Sequence, residues 1–212
     1  MIGKWMKSLG GKGAKETLPT VGEAALGRVL RIDPSMLVAL NGALGEETSS
    51  DFLISAQGRI DLSDESGTSW LHRFYDDDDR MLQAMTTSKG GGYAEEWSFY
   101  VPSSSEHLAT GASTAEWGKR LTRATMDYDG TAFDRLWYEG DDRDQPAVKF
   151  EETVFESADM SDPRAIPQEC MVYGTESAQG EVLLLALIQG MGSEATFETM
   201  LGTGLHPHQL SI

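Results

Sequence analysis

Residues 182–188 read Val182, Leu183, Leu184, Leu185, Ala186, Leu187 and Ile188, seven apolar residues without a break. The run is far short of the roughly 20 residues needed to cross a bilayer as a helix, and the chain holds no uninterrupted apolar stretch of that length. It reads as a strand apolar on both faces, which belongs at the centre of a sheet. Working outwards, residues 148–155, 169–173 and 196–201 also read as strands, separated by short turn-like segments. Parallel crossovers need a dozen or more residues, so these spacings point to an antiparallel meander.

The same reading extends toward the amino terminus. Residues 52–62 alternate through Ile54, Ala56, Gly58, Ile60 and Leu62, the two-residue period of a strand. Residues 69–75, 81–87 and 96–101 are further strand candidates, and the serine-rich residues 103–105 read as a loop. Asp129-Gly130 marks a hairpin between residues 125–128 and 131–138. Three helices are expected. Thr20 and Glu23 are spaced as a capping box before a stripe of Ala24, Ala25, Val29 and Leu30, ending near Arg31. Asp33-Pro34 reads as an N-cap and first-turn proline for a helix over residues 35–40, closed by Asn41-Gly42. Ser113 and Glu116 repeat the capping pattern ahead of Trp117, Leu121 and Ala124. The expected class is α+β, predominantly antiparallel β-sheet with two N-terminal helices and one mid-chain helix.

The 212 residues carry 34 acidic and 17 basic side chains, a formal charge of −17. That charge is unevenly divided. Residues 1–15 hold Lys4, Lys7, Lys12 and Lys15 and no acid, a tail of +4, and the remainder sets 13 basic against 34 acidic residues, a net of −21. Such a body repels phosphate backbones, which argues against a nucleic-acid binder. The domain reading is a basic flexible tail over 1–15 and one α+β domain over 16–212, with a sub-boundary in the charged, proline-ended run 139–146. On a helical wheel Ile2, Trp5, Met6 and Leu9 share one face, with Lys4 and Lys7 opposite. Ile2, Lys4, Trp5 and Lys7 are therefore candidates for contact with an anionic lipid surface, and the alternative is a frayed tail with an accidental pattern. The absence of an apolar signal region places the expected compartment in the cytoplasm, with peripheral contact at the inner membrane.

The densest chemical feature is HRFYDDDD at 72–79. Asp76, Asp77, Asp78 and Asp79 repel one another and need solvent, flanking arginines or a hard cation. In a loop, three of them are able to converge on Mg²⁺ or Ca²⁺; otherwise they form a solvated turn partly neutralised by Arg73 and Arg80. His72 beside them is the candidate general base, so His72, Arg73 and the four aspartates are the candidate partner or metal residues. Asp127 to Gly130 and Asp61 to Gly67 both fail the spacing of a calcium loop. His206-Pro207-His208 lacks a third ligand, and Cys170, the single cysteine, reads as a small buried hydrophobe. No phosphate loop, nucleophile elbow or dinucleotide fingerprint is present.

The strings AQGRIDL at 56–62, HRFYDDDD at 72–79, FEETV at 150–154 and CMVYG at 170–174 resemble the YjfK-like family of uncharacterised bacterial proteins, over most of the chain from about Leu18. The resemblance implies a cytoplasmic protein often encoded beside a membrane-stress protein, and it carries no catalytic residues. The functional expectation is an accessory protein acting at the inner membrane surface in envelope stress, docking its acidic face on a basic protein partner. The alternatives are a divalent-metal-dependent enzyme using the aspartate run, and an acidic inhibitor that mimics nucleic acid.

Overall fold

The computed structural model describes residues 17–212, apart from residues 66, 95, 139 and 141 and the side chain of residue 193. In chain order the strands are β1 (Thr20–Val21), β2 (Val29–Ile32), β3 (Asp51–Leu53), β4 (Ala56–Asp61), β5 (Trp70–Tyr75), β6 (Met81–Thr86), β7 (Gly91–Gly92) and β8 (Trp97–His107). They continue with β9 (Thr125–Tyr128), β10 (Thr131–Arg135), β11 (Val148–Phe155), β12 (Arg164–Ser177), β13 (Gly180–Gln189), β14 (Thr196–Leu205) and β15 (Leu210–Ser211). Two α-helices accompany them among the described residues, α1 (Val38–Leu44) and α2 (Gly111–Leu121).

Eight strands pair antiparallel in the order β11-β4-β5-β6-β8-β14-β13-β12, and β11 pairs with β12 as well as with β4, which closes the sheet into a barrel. The meander expected from the short spacings is present, and the closure removes the free sheet edges that an open meander would leave. The long strand β12 performs two tasks. Its first half, from Arg164 to Cys170, closes the barrel against β11, while Tyr173 and Gly174 pair with β10 and carry the β9–β10 hairpin. That hairpin turns at Asp129 and Gly130, both with positive φ, the geometry their sequence signalled.

The run at 182–188 lies in β13, and every residue of it is buried. Leu183, Leu185 and Leu187 face the lumen with Met81, Tyr100, Cys170, Val172 and Met200. Val182, Leu184, Ala186 and Ile188 face outwards into a second apolar layer, covered by α1, α2 and the N-terminal segment. Trp117 of α2 stacks on Phe197 with ring centroids 3.7 Å apart, and the Tyr173 hydroxyl donates to the Leu121 carbonyl at 3.0 Å. A small three-stranded sheet, β15-β2-β3, lies beside the barrel.

Four local expectations need correction. The helix expected over residues 20–31 does not form. Gly22 and Gly27 adopt positive φ, Thr20–Val21 pairs with Gly91–Gly92, and Val29–Ile32 alternates exposed and buried as a strand. The helix count among the described residues is therefore two. The next segment follows its sequence more closely. Asp33 caps a 3₁₀ turn at Pro34–Leu37 through the Ser35 amide, and α1 runs past Asn41-Gly42 to close at the left-handed Gly45. The mid-chain helix starts earlier than expected, capped by Thr110 with Ser113 at its third position, and ends at Leu121 before Ala124. Residues 103–105 lie within the second half of strand β8, where it bulges against Thr199 and Met200 of β14, and their polarity reflects a barrel rim.

The candidate site lies in the barrel lumen

Alternation along β5 sends Leu71, Arg73 and Tyr75 into the lumen and His72 and Phe74 to the outer layer. Along β11 it sends Phe150, Glu152 and Val154 inwards. Each strand thus places one charge of opposite sign in the middle of an otherwise uncharged inner face. Strand β4 lies between them, with Gly58 opposite Arg73 on one side and Val154 on the other. An added Cβ on Gly58 would stand 1.7 Å from Glu152 Oε1, so the missing side chain is the space the carboxylate fills.

Across that gap Arg73 Nη1 donates to Glu152 Oε2 at 2.9 Å, with side chains 2% and 1% exposed. Arg73 Nη1 also donates to Gln168 Oε1 at 2.7 Å, and Arg73 Nε to Gln83 Oε1 at 3.1 Å. Glu152 accepts from the Tyr75 hydroxyl at 2.7 Å and from Gln168 Nε2 at 2.9 Å. The guanidinium carbon lies 5.3 Å from the Phe150 ring centroid. Burial, the largest single influence, lowers the Arg73 pKa, but the Glu152 charge and hydrogen bond together with Tyr75 and Cys170 outweigh it and hold the guanidinium above its ordinary value. Burial first, and the Glu152 charge second, raise the Tyr75 hydroxyl well above its usual range. Burial pushes Tyr100 up to about 12 and the Cys170 thiol up to about 12. Both remain protonated at neutral pH, so Cys170 has no thiolate character with which to act as a nucleophile.

This network divides the lumen, since Arg73 and Leu185 line the space on both sides of it. On one side is a cavity of 840 Å³ walled by side chains including Leu71, Met85, Trp137, Phe150 and Leu183, with Arg73, Gln83, Ser98 and Tyr100 among its polar groups and the exposed Glu96, Glu181 and His206 also lining it. On the other is a polar cavity of 960 Å³, whose wall includes Asp76, Asp77, Asp79, Ser103, Ser104, Arg164 and Glu198.

The residues singled out in the sequence are dispersed. The aspartate run forms the β5–β6 turn at the polar mouth. Asp76 is buried, its carboxylate accepting from the Asp78 and Arg80 amides at 3.0 and 2.9 Å and pairing with the Arg80 guanidinium at 2.5 Å. Arg80 in turn donates to the carbonyls of Ser49 and Asp51. Asp77, Asp78 and Asp79 are exposed, and Asp79 takes a left-handed φ of 58°. Among the described residues no group of three or more His, Cys, Asp or Glu side chains is placed to hold a metal ion. Arg73 belongs to the lumen network rather than to the aspartates.

His72 is fully buried on the outer face, four strand residues or roughly 13 Å of backbone from Asp76. Its Nε2 lies 3.0 Å from Thr86 Oγ1 and 3.1 Å from the Ser88 carbonyl. A carbonyl only accepts, so Nε2 carries the proton, and Nδ1 is left as a buried acceptor without a partner. Burial lowers the His72 pKa, against the opposing Ser88 hydrogen bond. A neutral ring turned away from the aspartates is not placed to act as their general base. His206 and His208 stack at 5.7 Å between ring centroids. Ile2, Lys4, Trp5 and Lys7 lie outside the described residues.

Glu152, Gln168 and Gly58, the centre of the network, escaped the sequence reading. The available signal was the lone charge at the middle of each inner face, Leu71-x-Arg73-x-Tyr75 and Phe150-x-Glu152-x-Val154.

The fold and lumen define a small antiparallel barrel of the size that is filled by its own side chains or holds one small molecule. The chain belongs to a family described as protein of unknown function (DUF2491), whose model matches residues 2–211. No curated protein and no solved structure matches it.

Proposed function

We propose that the protein is a non-catalytic binding module whose barrel takes a small, mainly apolar molecule through its apolar mouth. The observation that carries this reading is the 840 Å³ cavity, with apolar side chains such as Leu71, Met85, Trp137 and Leu183 on its walls and the Arg73 network at its floor. Its size falls within the roughly 300–1,000 Å³ of ligand pockets, which combine apolar walls with a few placed polar groups. The protonated state of Cys170 and the position of His72 favour binding over catalysis. The neutral fluorophore N-phenyl-1-naphthylamine tests it. One molecule should bind per chain with enhanced emission, and Met85→Glu, at a half-exposed position on the wall, should weaken binding at least about tenfold, the factor of a 1.4 kcal/mol loss. No saturable binding, or equal binding by the variant, contradicts the reading.

A second reading is favoured by the charge division, +4 in the tail and −21 in the body. In it the protein, as a YjfK-like accessory protein in bacterial envelope stress, lies at the inner membrane surface through residues 1–15. Asp77, Asp78 and Asp79, held out by the Asp76–Arg80 clamp, meet a basic partner. Sedimentation with anionic vesicles should capture the full chain and lose most of that capture when residues 1–15 are removed. Equal capture of both forms defeats the tail's role.

A further inference from the structure

The polar floor of the apolar mouth restricts what its occupant carries at the buried end. Arg73, Gln83 and Ser98 reach this cavity, and Gln83 Nε2 donates to Ser98 Oγ at 3.4 Å. The three hydrogen bonds that tie Arg73 to Gln83, Glu152 and Gln168 leave from Nε and Nη1, and Nη2 takes no part in them. The floor therefore presents donors. Its charge is nevertheless balanced, because the guanidinium is already matched by the Glu152 carboxylate at 2.9 Å with both groups buried. An anionic head at this depth would bring a second negative charge to a cation that has its counterion, and neither desolvation cost would be recovered. A cationic head would meet the guanidinium at close range in a poorly screened space. An uncharged acceptor, by contrast, is able to take a hydrogen bond from the floor with no net charge buried. The walls then suit a hydrocarbon body, with Leu183, Met85 and Trp137 along it. Arg73 and Leu185 line both cavities, so the body is accommodated toward the apolar mouth and does not thread through.

We propose that the occupant is a small amphiphile with a neutral hydrogen-bond-accepting head, an amide, ester or alcohol, seated head-inwards on Arg73 and Gln83. This rests on the reading of the cavity as a ligand site, and adds the chemistry of the head. The balanced pair is a specificity device: it provides donors while rejecting charge of either sign.

Displacement of N-phenyl-1-naphthylamine by decanamide, decanoate and decylammonium at neutral pH, below their micelle concentrations, separates these heads on one chain length. Decanamide should displace the fluorophore at a concentration at least about tenfold lower than either charged analogue. In Glu152→Gln the guanidinium loses its counterion, and decanoate should gain at least about tenfold relative to decanamide. Gln83→Leu, at a partly exposed floor position, is the second variant if that one does not fold. It should erase most of the amide's advantage while the fluorophore still binds. Decanoate binding as tightly as decanamide to the unaltered protein overturns the proposed head chemistry, with the ligand site intact. A fluorophore that does not bind at all overturns the ligand site itself. An unchanged amide preference in both folded variants shows that the floor does not select the head.

Discussion

Replacing Glu152 by Ala should lower the unfolding free energy by about 3–5 kcal/mol, the range for removing one partner of a buried ion pair. The loss arises less from the missing attraction than from the Arg73 guanidinium that stays behind. It is 2% exposed, and its other contacts, Gln83, Gln168 and the Phe150 ring, are uncharged. Tyr75 and Gln168 each lose a hydrogen bond in the same step, at 2.7 and 2.9 Å. Removing both charges, as Arg73→Met with Glu152→Met, leaves no uncompensated ion, so the pair should recover at least about half of the single-variant loss. Urea unfolding midpoints at constant slope measure this. A loss below about 1 kcal/mol for Glu152→Ala would place the pair among solvated ion pairs and remove it from the centre of the fold.

Gly58→Ala is the second large effect. The φ of Gly58 lies outside the left-handed region, so its role is one of space. A methyl carbon 1.7 Å from Glu152 Oε1 and 2.7 Å from its carboxyl carbon cannot coexist with the carboxylate where it lies. The carboxylate must leave the Tyr75 hydroxyl, or strands β4 and β11 must part. Overpacking combined with a lost buried hydrogen bond should lower stability by about 2–4 kcal/mol. The same urea unfolding, repeated in a Glu152→Ala background, identifies the cause. There the obstacle is gone, and Gly58→Ala should cost less than half of its effect in the unaltered chain. Additive losses would mean that Gly58 is needed for some reason unrelated to Glu152.

The features legible in the sequence were those written in local periodicity. The run at 182–188 identified a strand buried on both faces because each side chain there is apolar, whatever it packs against. Asp129-Gly130 identified its hairpin because a tight turn requires those backbone angles. Residues 20–31 misled because Ala24, Ala25, Val29 and Leu30 fit a helical stripe, while pairing with Gly91–Gly92 and with β3 lay far away in the chain. Closure was illegible for the same reason. Residues 148–155 read as one strand among several, and nothing in their period states that they pair with both β4 and β12. The site followed closure. His72, Arg73 and Asp76 are near neighbours in the chain, yet alternation sends the first outwards and the second into the lumen, and the turn gives the third to Arg80. Glu152 acquired its partner only when the barrel brought β5 and β11 to either side of Gly58.

The central claim is that the apolar mouth of the barrel is a ligand site. Amide chemical shifts of the ¹⁵N-labelled chain, followed through a titration with N-phenyl-1-naphthylamine, test it most directly. Saturable shifts should concentrate at Leu71, Met85, Trp137 and Leu183, with Asp77 and Asp79 at the far mouth unmoved. Shifts centred on the outer layer around Trp117 and Phe197, or no saturable shifts anywhere, would contradict it.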